Sequence, residues 1–412
     1  MMPEKQNTHF QRKTHPLHLS IDVPLLIIVL SLLAIGLLFV YSSSWEFALQ
    51  QEKEPSYFLK KQISSIAVGI GGGIVAFYFD YHRMQKLVKY MVFGTLILLF
   101  LVSIVLGEAR LGATRSLWQG SYQPSELAKL VIIIYLAFWV DSKKNNINTI
   151  SFGLIPLMAI IGLFCGLILL QPDLSTAATI FILGVIMFFL GGADLHQIIR
   201  VSSVALIAGL SIVLFHPTGR TRISEYLSGL RNPIEGSYHM IRSIEGIVKG
   251  GLFGAGIGMS TVKFTKLPFA PTDSIFAVIS EEVGLIGSSI LILLFVLLFW
   301  RGLRIANHAP DFLGKLLASG ISIWIFLEAM INIGVMVNII PFAGNALPLI
   351  SYGGSSIATV LTSIGILMGI ARLTRLQDDK QEGRISHAVV DLRGNDGWRD
   401  IPRSRRSADT KR

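Results

Sequence analysis

Residues 274–300 read SIFAVISEEVGLIGSSILILLFVLLFW, and this stretch decides the class of protein. After Glu282 it contains only apolar residues, Gly and Ser as far as Trp300. A helix of about 20 such residues crosses the hydrocarbon core of a bilayer. The backbone must be helical there, because lipid offers an amide group no hydrogen-bond partner. The stretch therefore predicts a transmembrane helix.

Nine further apolar segments are long enough to span, which gives ten predicted spans. They lie near residues 22–42, 62–79, 90–107, 125–141, 152–170, 175–191, 197–215, 274–300, 313–337 and 347–371. The chain of 412 residues is only 15% charged, whereas soluble proteins carry roughly 25%, and its mean hydropathy is +0.60. No segment alternates as membrane strands do. We therefore expect an all-α, polytopic membrane protein with ten transmembrane helices and a large extracytoplasmic loop, residues 216–273, between helices 7 and 8.

Basic residues in the short connections predict the orientation, since cytoplasmic loops are enriched in Lys and Arg. Such residues occur in the N-terminal arm and in the second, fourth and eighth connections. Both termini are therefore predicted to be cytoplasmic. The connection between the first two spans disagrees, because it places Lys53, Lys60 and Lys61 outside.

The net charge of the chain indicates which classes of partner to expect. A net charge of +10 fits an anionic membrane and a phosphate-bearing ligand. The basic residues are dispersed and no nucleic-acid motif occurs, so no nucleic acid is expected as a partner. The single cysteine, Cys165, lies within a predicted span, so we expect it to pack rather than to form a disulfide.

Composition divides the chain into three parts. Residues 1–20 are predicted to be a basic cytoplasmic arm and residues 21–375 the membrane domain, whereas residues 376–412 hold few apolar residues and predict a disordered cytoplasmic tail. Within the large loop, apolar residues at helical spacing from Tyr238 to Val248 predict a helix lying in the interface. The glycine run Gly250–Gly258 follows no strand, so it favours close backbone packing or a re-entrant turn over a nucleotide-binding loop.

Polar residues at the ends of the spans predict a shared cavity near the outer leaflet. Asp273 lies where an acid costs little, so by itself it fits a solvated helix flank better than a site. Glu126 and Lys129 share a helix face, which predicts either a local ion pair or a cavity face that meets an anionic ligand. The run before Ser356 fits either close helix packing or a polar cavity wall. The further candidates are Arg115, Asp173, Arg222, Glu281, Tyr352 and Ser355.

Taken together and in order, the motifs resemble those of the SEDS family of bacterial cell-wall proteins, which includes FtsW, RodA and SpoVE. The resemblance covers nearly all of residues 20–375. It rests on Gly112-Ala-Thr-Arg115, Gln123-Pro-Ser-Glu-Leu-Ala-Lys129, Gln171-Pro-Asp-Leu174, Gly250-Gly-Leu-Phe-Gly254, Thr272-Asp-Ser-Ile-Phe276, Glu281-Glu-Val-Gly284 and Leu347-Pro-Leu-Ile-Ser-Tyr-Gly-Gly-Ser-Ser356. Pro271 and Ser274 stand where the family usually has His and an aromatic residue.

The resemblance implies an inverting glycosyltransferase of the bacterial cytoplasmic membrane. Such an enzyme polymerises lipid II into β-1,4 glycan strands and releases undecaprenyl pyrophosphate. It implies that Asp273 is the catalytic residue, and that Lys129, Glu126, Arg115 and Asp173 line the cavity. We expect Asp273 to act as general base, with Lys129, Arg115 and either Arg220 or Arg222 near the leaving group.

The implied partners are lipid II, the growing glycan strand, a class B penicillin-binding protein, and divisome or elongasome proteins. No His/Cys metal spacing occurs in the sequence. The cofactor to consider is therefore a divalent cation, Mg²⁺ or Mn²⁺, held by carboxylate and phosphate oxygens, and no organic cofactor is expected.

Two other functions compete with the enzyme: a lipid II flippase, and a scaffold that only recruits a transpeptidase. The polar residues gather at one leaflet and no inverted repeat with broken helices is evident, which disfavours the flippase. An intact Thr272-Asp273 disfavours the pure scaffold. The basic arm and the long tail favour an FtsW-like role in division over one in elongation.

Overall fold

The computed structural model describes residues 21–103, 108–110, 113–116, 122–215, 217–232, 236–263 and 270–394. These residues form helices α1 (Val23–Gln50), α2 (Tyr57–Tyr78), α3 (Gln85–Leu101), α4 (Pro124–Lys143), α5 (Ile155–Leu169), α6 (Leu174–Leu190), α7 (Leu195–Phe215), α8 (Pro217–Arg231), α9 (Tyr238–Gly250), α10 (Ile275–Asn307), α11 (Phe312–Met336) and α12 (Gly354–Gly394). Strands β1 (Glu108–Arg110) and β2 (Ala113–Ser116) pair as an antiparallel hairpin. The helical class is confirmed, and the hairpin is an addition that the sequence pattern did not predict.

The chain is a multi-pass membrane protein. In the part of the chain that the structure describes, six helical segments are long and apolar enough to cross a bilayer: Val23–Gln50, Tyr81–Leu101, Ile150–Leu169, Ile275–Asn307, Phe312–Met336 and Gly354–Gln377. Two shorter apolar helices, Leu174–Leu190 and Leu195–Ser211, accompany them. Each of the ten predicted apolar segments contains a helix, and α8 and α9 lie in the predicted large loop. The number of ten spans stays a prediction.

The last apolar segment differs from its predicted extent. Its helix begins at Gly354 rather than at residue 347, because residues 347–353 turn instead and Leu349 has a positive φ of 64°. At its other end α12 continues to Gly394, so the first part of the predicted disordered tail is helical. Residues 1–20 and 395–412, predicted as arm and tail, lie outside the described residues.

The core of the protein lies around α4 and α11. Every residue from Leu130 to Ile134 on α4 is buried, and so is the large side chain of Trp324 on α11. Since a helix that is apolar on all sides belongs in an interior, these two helices form the centre of the bundle. Cys165 on α5 packs against this core, as predicted.

The glycine run forms hydrogen bonds to the carbonyl groups beside a break in α10. Gly284 has φ 68° and ψ −168°, a backbone conformation that is essentially restricted to glycine, and it interrupts the helical hydrogen bonds. The glycine run supplies replacement hydrogen bonds. The backbone amides of Ala255 and Gly256 donate to the carbonyl oxygens of Glu281 (2.9 Å) and Glu282 (3.0 Å). The predicted close backbone packing of this run is therefore confirmed.

The predicted loop helix is also confirmed, as α9. Its buried positions include Ser243, Gly246 and Gly250, and a Cβ on Gly250 would lie 2.0 Å from the carbonyl oxygen of Ser280. Small residues therefore let α9 lie directly against α10. On another side of the helix Val248 is 72% exposed, which fits the predicted interfacial position.

Candidate active site

Asp273 lies in the turn that leads into α10, where Ser274 occupies the N-cap position. The side-chain amide of Asn332 on α11 donates to the carbonyl oxygen of Asp273 (2.8 Å) and to that of Asn345 (2.6 Å). One buried amide therefore ties the Asp273 turn to the segment that precedes α12. This contact explains the polar Asn332 in a largely apolar helix.

A second clamp on the Asp273 turn comes from the residues before α12. The hydroxyl of Ser351 donates to the carbonyl oxygen of Thr272 (2.6 Å), and the amide of Tyr352 donates to that of Pro271 (2.8 Å). The backbone on the N-terminal side of Asp273 is thus fixed by two hydrogen bonds. Pro271 keeps this role because it needs only a carbonyl oxygen, which every residue has.

The carboxylate of Asp273 is half-buried and faces a glycine. A Cβ built on Gly344 would lie 3.5 Å from Oδ2 of Asp273, and Gly344 has a positive φ of 69°. A side chain at Gly344 would be strained by this backbone conformation and would lie in van der Waals contact with the carboxylate. The nearby N-terminus of α10 favours negative charge at this position.

A cavity of about 1220 Å³ opens in front of Asp273. Its volume exceeds that of a typical small-molecule pocket, which is about 300–1000 Å³. The six predicted site residues that line it are Asp273, Glu126, Lys129, Asp173, Tyr352 and Ser355. The structure therefore brings together side chains from α4, the α5–α6 turn, the α10 entry and the start of α12.

Lys129 lies in this cavity wall between two acids. Its Nζ donates to Oε1 of Glu126 at 2.7 Å and also to Glu328 on α11. The three side chains are 4%, 11% and 3% exposed, so they form a nearly buried triad with a formal charge of −1. The predicted ion pair is present and it lines the cavity, whereas contact of Lys129 with an anionic ligand stays a prediction. However, the ammonium is already neutralised and is poorly suited to stabilise a leaving group.

Asp173 organises the wall beside the triad. It is the N-cap of α6, where Oδ1 accepts from the amide of Thr176 (3.2 Å) and Oδ2 accepts from its hydroxyl (3.0 Å). The side-chain Nε2 of Gln123 lies 3.4 Å from Oδ2 of Asp173, and the backbone amide of Gln123 donates to the hydroxyl of Ser355 (3.1 Å). Asp173 and Ser355 are therefore joined through the residue before α4.

Glu281 lies elsewhere. It is 1% exposed, and its carboxylate accepts from the Ser260 hydroxyl, from the hydroxyl and amide of Thr261 (2.7 and 2.8 Å) and from the Val262 amide (3.1 Å). It is absent from the described lining of the main cavity. The carboxylate of Glu281 therefore fixes the loop that follows the glycine run. Contact of Glu281 with a substrate stays a prediction.

Arg222 and Arg115 are not placed in the main cavity either. Arg222 lines a smaller cavity of about 200 Å³ with His239 and Phe342, and its guanidinium lies 5.6 Å from the Phe342 ring centre. Burial and the charge of Arg222 lower the pKa of His239, so this imidazole is neutral near pH 7. Arg115 belongs to β2, and its side chain lies outside the described residues.

The cavity also has charged residues that were not among the predicted site residues, and these include Glu328, Lys263, Lys53 and Lys61. Glu328 had a signal in the sequence, because it shares a helix face with Asn332. Lys263 forms an ion pair with Glu282 at 3.0 Å. The two remaining lysines belong to the connection that disagrees with the predicted orientation.

The described residues contain no group of three His, Cys, Asp or Glu side chains that could hold a metal ion. A protein-bound cation of the expected kind needs several carboxylate oxygens. The described side chains therefore do not fit such a site, and the predicted Mg²⁺ or Mn²⁺ stays a prediction.

Comparison with known proteins identifies the family. A family model described as "Cell cycle protein", FTSW_RODA_SPOVE, matches residues 23–376. The chain belongs to the FtsW, RodA and SpoVE family. The match covers all six of the predicted residues that meet in the cavity.

Members of this family are similar over nearly their whole length. Stage V sporulation protein E of Bacillus subtilis is 36% identical over 369 residues, which is 88% of this chain and 99% of that protein. A probable peptidoglycan glycosyltransferase FtsW of Trichlorobacter lovleyi is 36% identical over 353 residues, 85% of this chain and 93% of that protein. The chain therefore spans the family domain of both.

Solved structures share the fold of this FtsW, RodA and SpoVE family member. A structure described as "Structural coordination of polymerization and crosslinking by a peptidoglycan synthase complex" matches with a TM-score of 0.71 and 25% identity, over 86% of this chain and 99% of that one. The rod shape determining protein RodA of Thermus thermophilus matches with a TM-score of 0.61 and 24% identity, over 87% of this chain and 98% of that one. At that identity the RodA likeness speaks for the fold alone.

Proposed function

We propose that this chain polymerises lipid II into β-1,4-linked glycan strands and releases undecaprenyl pyrophosphate. By its family and its relatives, several of which are named peptidoglycan glycosyltransferase, it is a glycosyltransferase of cell-wall synthesis. The observation that carries the proposal is the position of Asp273: it is held by three backbone-directed clamps and faces a cavity of about 1220 Å³.

The reaction is a single displacement at a sugar carbon. The 4-hydroxyl oxygen of the acceptor sugar forms a bond to the anomeric carbon of the lipid-linked donor. The bond from that carbon to the diphosphate oxygen breaks, and undecaprenyl pyrophosphate leaves with its electron pair. An α-linked donor then gives a β-linked product by inversion. Asp273 accepts the hydroxyl proton as general base, since its carboxylate faces the cavity and is fixed by its backbone.

The remaining cavity residues position the sugars. The two carboxylates of the triad, Glu126 and Glu328, accept hydrogen bonds from Lys129 and present oxygen atoms to sugar hydroxyl groups. Tyr352 supplies an aromatic face and stands edge-on to Phe58, with ring centres 5.1 Å apart. Lys129 itself is neutralised by its two partners, so we assign charge stabilisation of the leaving group to other cations.

The proposed topology has ten spans, both termini in the cytoplasm and the segment 216–273 outside, in a bacterial cytoplasmic membrane. This arrangement follows from the short-loop basic residues. It places Asp273 at the outer leaflet, where lipid II presents its sugars to the growing glycan strand. Labelling of single cysteines introduced in the loops by a membrane-impermeant reagent tests it, and a labelled C-terminal tail in intact cells would contradict it.

The proposed partner is a class B penicillin-binding protein that cross-links the glycan, together with divisome or elongasome proteins. The likeness to a peptidoglycan synthase complex of polymerisation and cross-linking supports this partner. We propose an FtsW-like role in division, which the FtsW relatives support. No nucleic acid takes part.

The test of the proposed function is glycan synthesis by the purified chain. Fluorescent lipid II in detergent is incubated with the chain, alone and with a class B penicillin-binding protein of the same organism, and products are resolved on a gel. We expect a ladder of glycan strands. Transfer of lipid II across vesicle membranes without any ladder would support the flippase, and absence of both would support the scaffold.

A further inference from the structure

The connection between α1 and α2 and the start of α2 together carry a cluster of lysines that the proposed polymerase reaction has not yet used. Lys53, Lys60 and Lys61 lie on the proposed outer side, against the usual distribution of positive charge in membrane proteins. A basic cluster on that side suggests an anionic ligand there.

Two of these lysines surround one aromatic ring at the cavity. The Nζ atoms of Lys53 and Lys61 lie 4.4 Å and 4.9 Å from the ring centre of Tyr57. All three residues line the main cavity and are half-buried. The ring holds both ammonium groups by cation–π attraction and so keeps two like charges close together. Two neighbouring cations in a cavity wall provide a place for a doubly charged anion.

The third lysine, Lys60, is arranged differently. It forms an ion pair with Glu54, its side chain is 65% exposed, and it is not part of the described lining of the cavity. Lys60 and Lys61 are adjacent in the chain and differ in these respects, so they form a matched pair for experiment.

The other lysines of the cavity are committed to carboxylates. Lys129 pairs with Glu126 and Glu328, and Lys263 pairs with Glu282. Among the described residues, no carboxylate forms an ion pair with Lys53, whose Nζ donates to the side-chain oxygen of Gln51 (2.9 Å). Lys53 therefore brings to this part of the cavity wall a positive charge that no described carboxylate neutralises.

The lysine pair is connected to the turn that holds Asp273. The side-chain amide of Gln62 on α2 donates to the carbonyl oxygen of Ser351 (3.1 Å), and Ser351 in turn clamps Thr272. Phe58, next to Tyr57, contacts Tyr352. The start of α2 and the Asp273 turn therefore belong to one continuous wall.

We propose that Lys53, Lys61 and Tyr57 form the subsite that binds the diphosphate of the polyprenyl-linked substrate. This inference rests on the proposed polymerase function, which supplies the class of ligand, a polyprenyl diphosphate. Ammonium groups donate charge-assisted hydrogen bonds to phosphate oxygens. Their positive charge also stabilises the negative charge that develops when the bond from the sugar to the diphosphate breaks.

The experiment measures binding, so that it does not depend on turnover. The full chain carrying Asp273→Asn is purified in detergent, and undecaprenyl diphosphate is titrated by microscale thermophoresis. We expect Lys53→Gln/Lys61→Gln to weaken binding by about tenfold or more, while Lys60→Gln binds as the parent does. Replacement of both residues by Arg, which keeps the charge, is expected to restore most of the affinity.

Further arms identify the source of the anion and guard against misfolding. Undecaprenol, which lacks the diphosphate, is expected to bind parent and double variant equally, and inorganic pyrophosphate is expected to compete with the lipid in the parent. A monodisperse gel-filtration profile shows that the double variant is folded. Parental affinity in the folded double variant, or an equal loss in Lys60→Gln, would overturn the subsite. Failure of the parent to make glycan would instead contradict the proposed function, whatever the binding results.

Discussion

Removal of Lys129 tests whether the buried triad is held by charge. Its Nζ lies 2.7 Å from Glu126 and also contacts Glu328, and the lysine side chain is 4% exposed. At an effective dielectric constant near 20, one unit-charge pair at this distance attracts by about 6 kcal/mol, and desolvation of the ions offsets much of that. Removing one partner of a buried pair typically costs about 3–5 kcal/mol. We expect Lys129→Met to lower the free energy of unfolding by about that amount.

The assay is thermal unfolding of purified variants in one detergent, followed by tryptophan fluorescence and by the monodisperse fraction that remains. The formal charge of the triad changes from −1 to −2 in Lys129→Met and returns to −1 when Glu328→Gln is added. The double variant is therefore expected to melt above the single variant. The exposed Lys60→Met serves as control and is expected to change little. Additive losses in the double variant, or a parental melting temperature for Lys129→Met, would refute the reasoning.

Three further variants test the backbone of α10 and of the segments that hold and face Asp273. Gly284→Ala is expected to destabilise the protein by at least about 2 kcal/mol, because its φ is 68° and its Cβ would lie 2.4 Å from the amide nitrogen of Gly254; an unchanged melting temperature would contradict this. Asn332→Ala removes the hydrogen bond to the carbonyl oxygen of Asp273, so kcat for lipid II should fall about tenfold or more with little change in substrate affinity. A fall in affinity alone would argue against a positioning role. Gly344→Ala should lower the polymerisation rate through backbone strain at a φ of 69° in the segment that faces Asp273, and a parental rate would contradict this.

The membrane helices were predictable from the sequence because the bilayer demands long apolar runs and internally satisfied backbones. The helix α9 was predictable from its residue spacing, although the side that packs against α10 consists of small residues rather than of its apolar stripe. The packing role of the glycine run followed from the absence of a preceding strand. Its partner, the broken backbone at Gly284, did not follow, since the break becomes visible only in three dimensions.

The polar site was predictable in part of its membership, since six predicted residues line the cavity, and less so in its pairings. Glu126 and Lys129 share a turn of helix, so their contact follows from local geometry. Glu328 is 199 residues away from Lys129, and only the packing of α11 on α4 brings them together. For the same reason Glu281 was expected in the cavity, whereas its carboxylate is enclosed by the loop around Thr261. Long-range packing decides which buried charge meets which partner.

The last helix was predicted to begin at residue 347, whereas it begins at Gly354, and the reason is local. The run from Leu347 to Ser351 is apolar enough to extend a span, and hydropathy alone does not show that Leu349 adopts a positive φ. The turn places Ser351 against Thr272, which fixes the turn of the candidate base. An apparently continuous apolar segment therefore contains the clamp of the site.

The polymerisation rate of Asp273→Asn tests the central claim most directly. The substitution keeps the shape of the side chain and removes its capacity to accept the acceptor proton, and general bases contribute roughly 10²–10⁴-fold to rate. With fluorescent lipid II and the transpeptidase present, the account predicts a loss of about 100-fold or more, with binding of lipid II retained and with the exposed Asp141→Asn unchanged. Glycan synthesis by Asp273→Asn at the parental rate would contradict it.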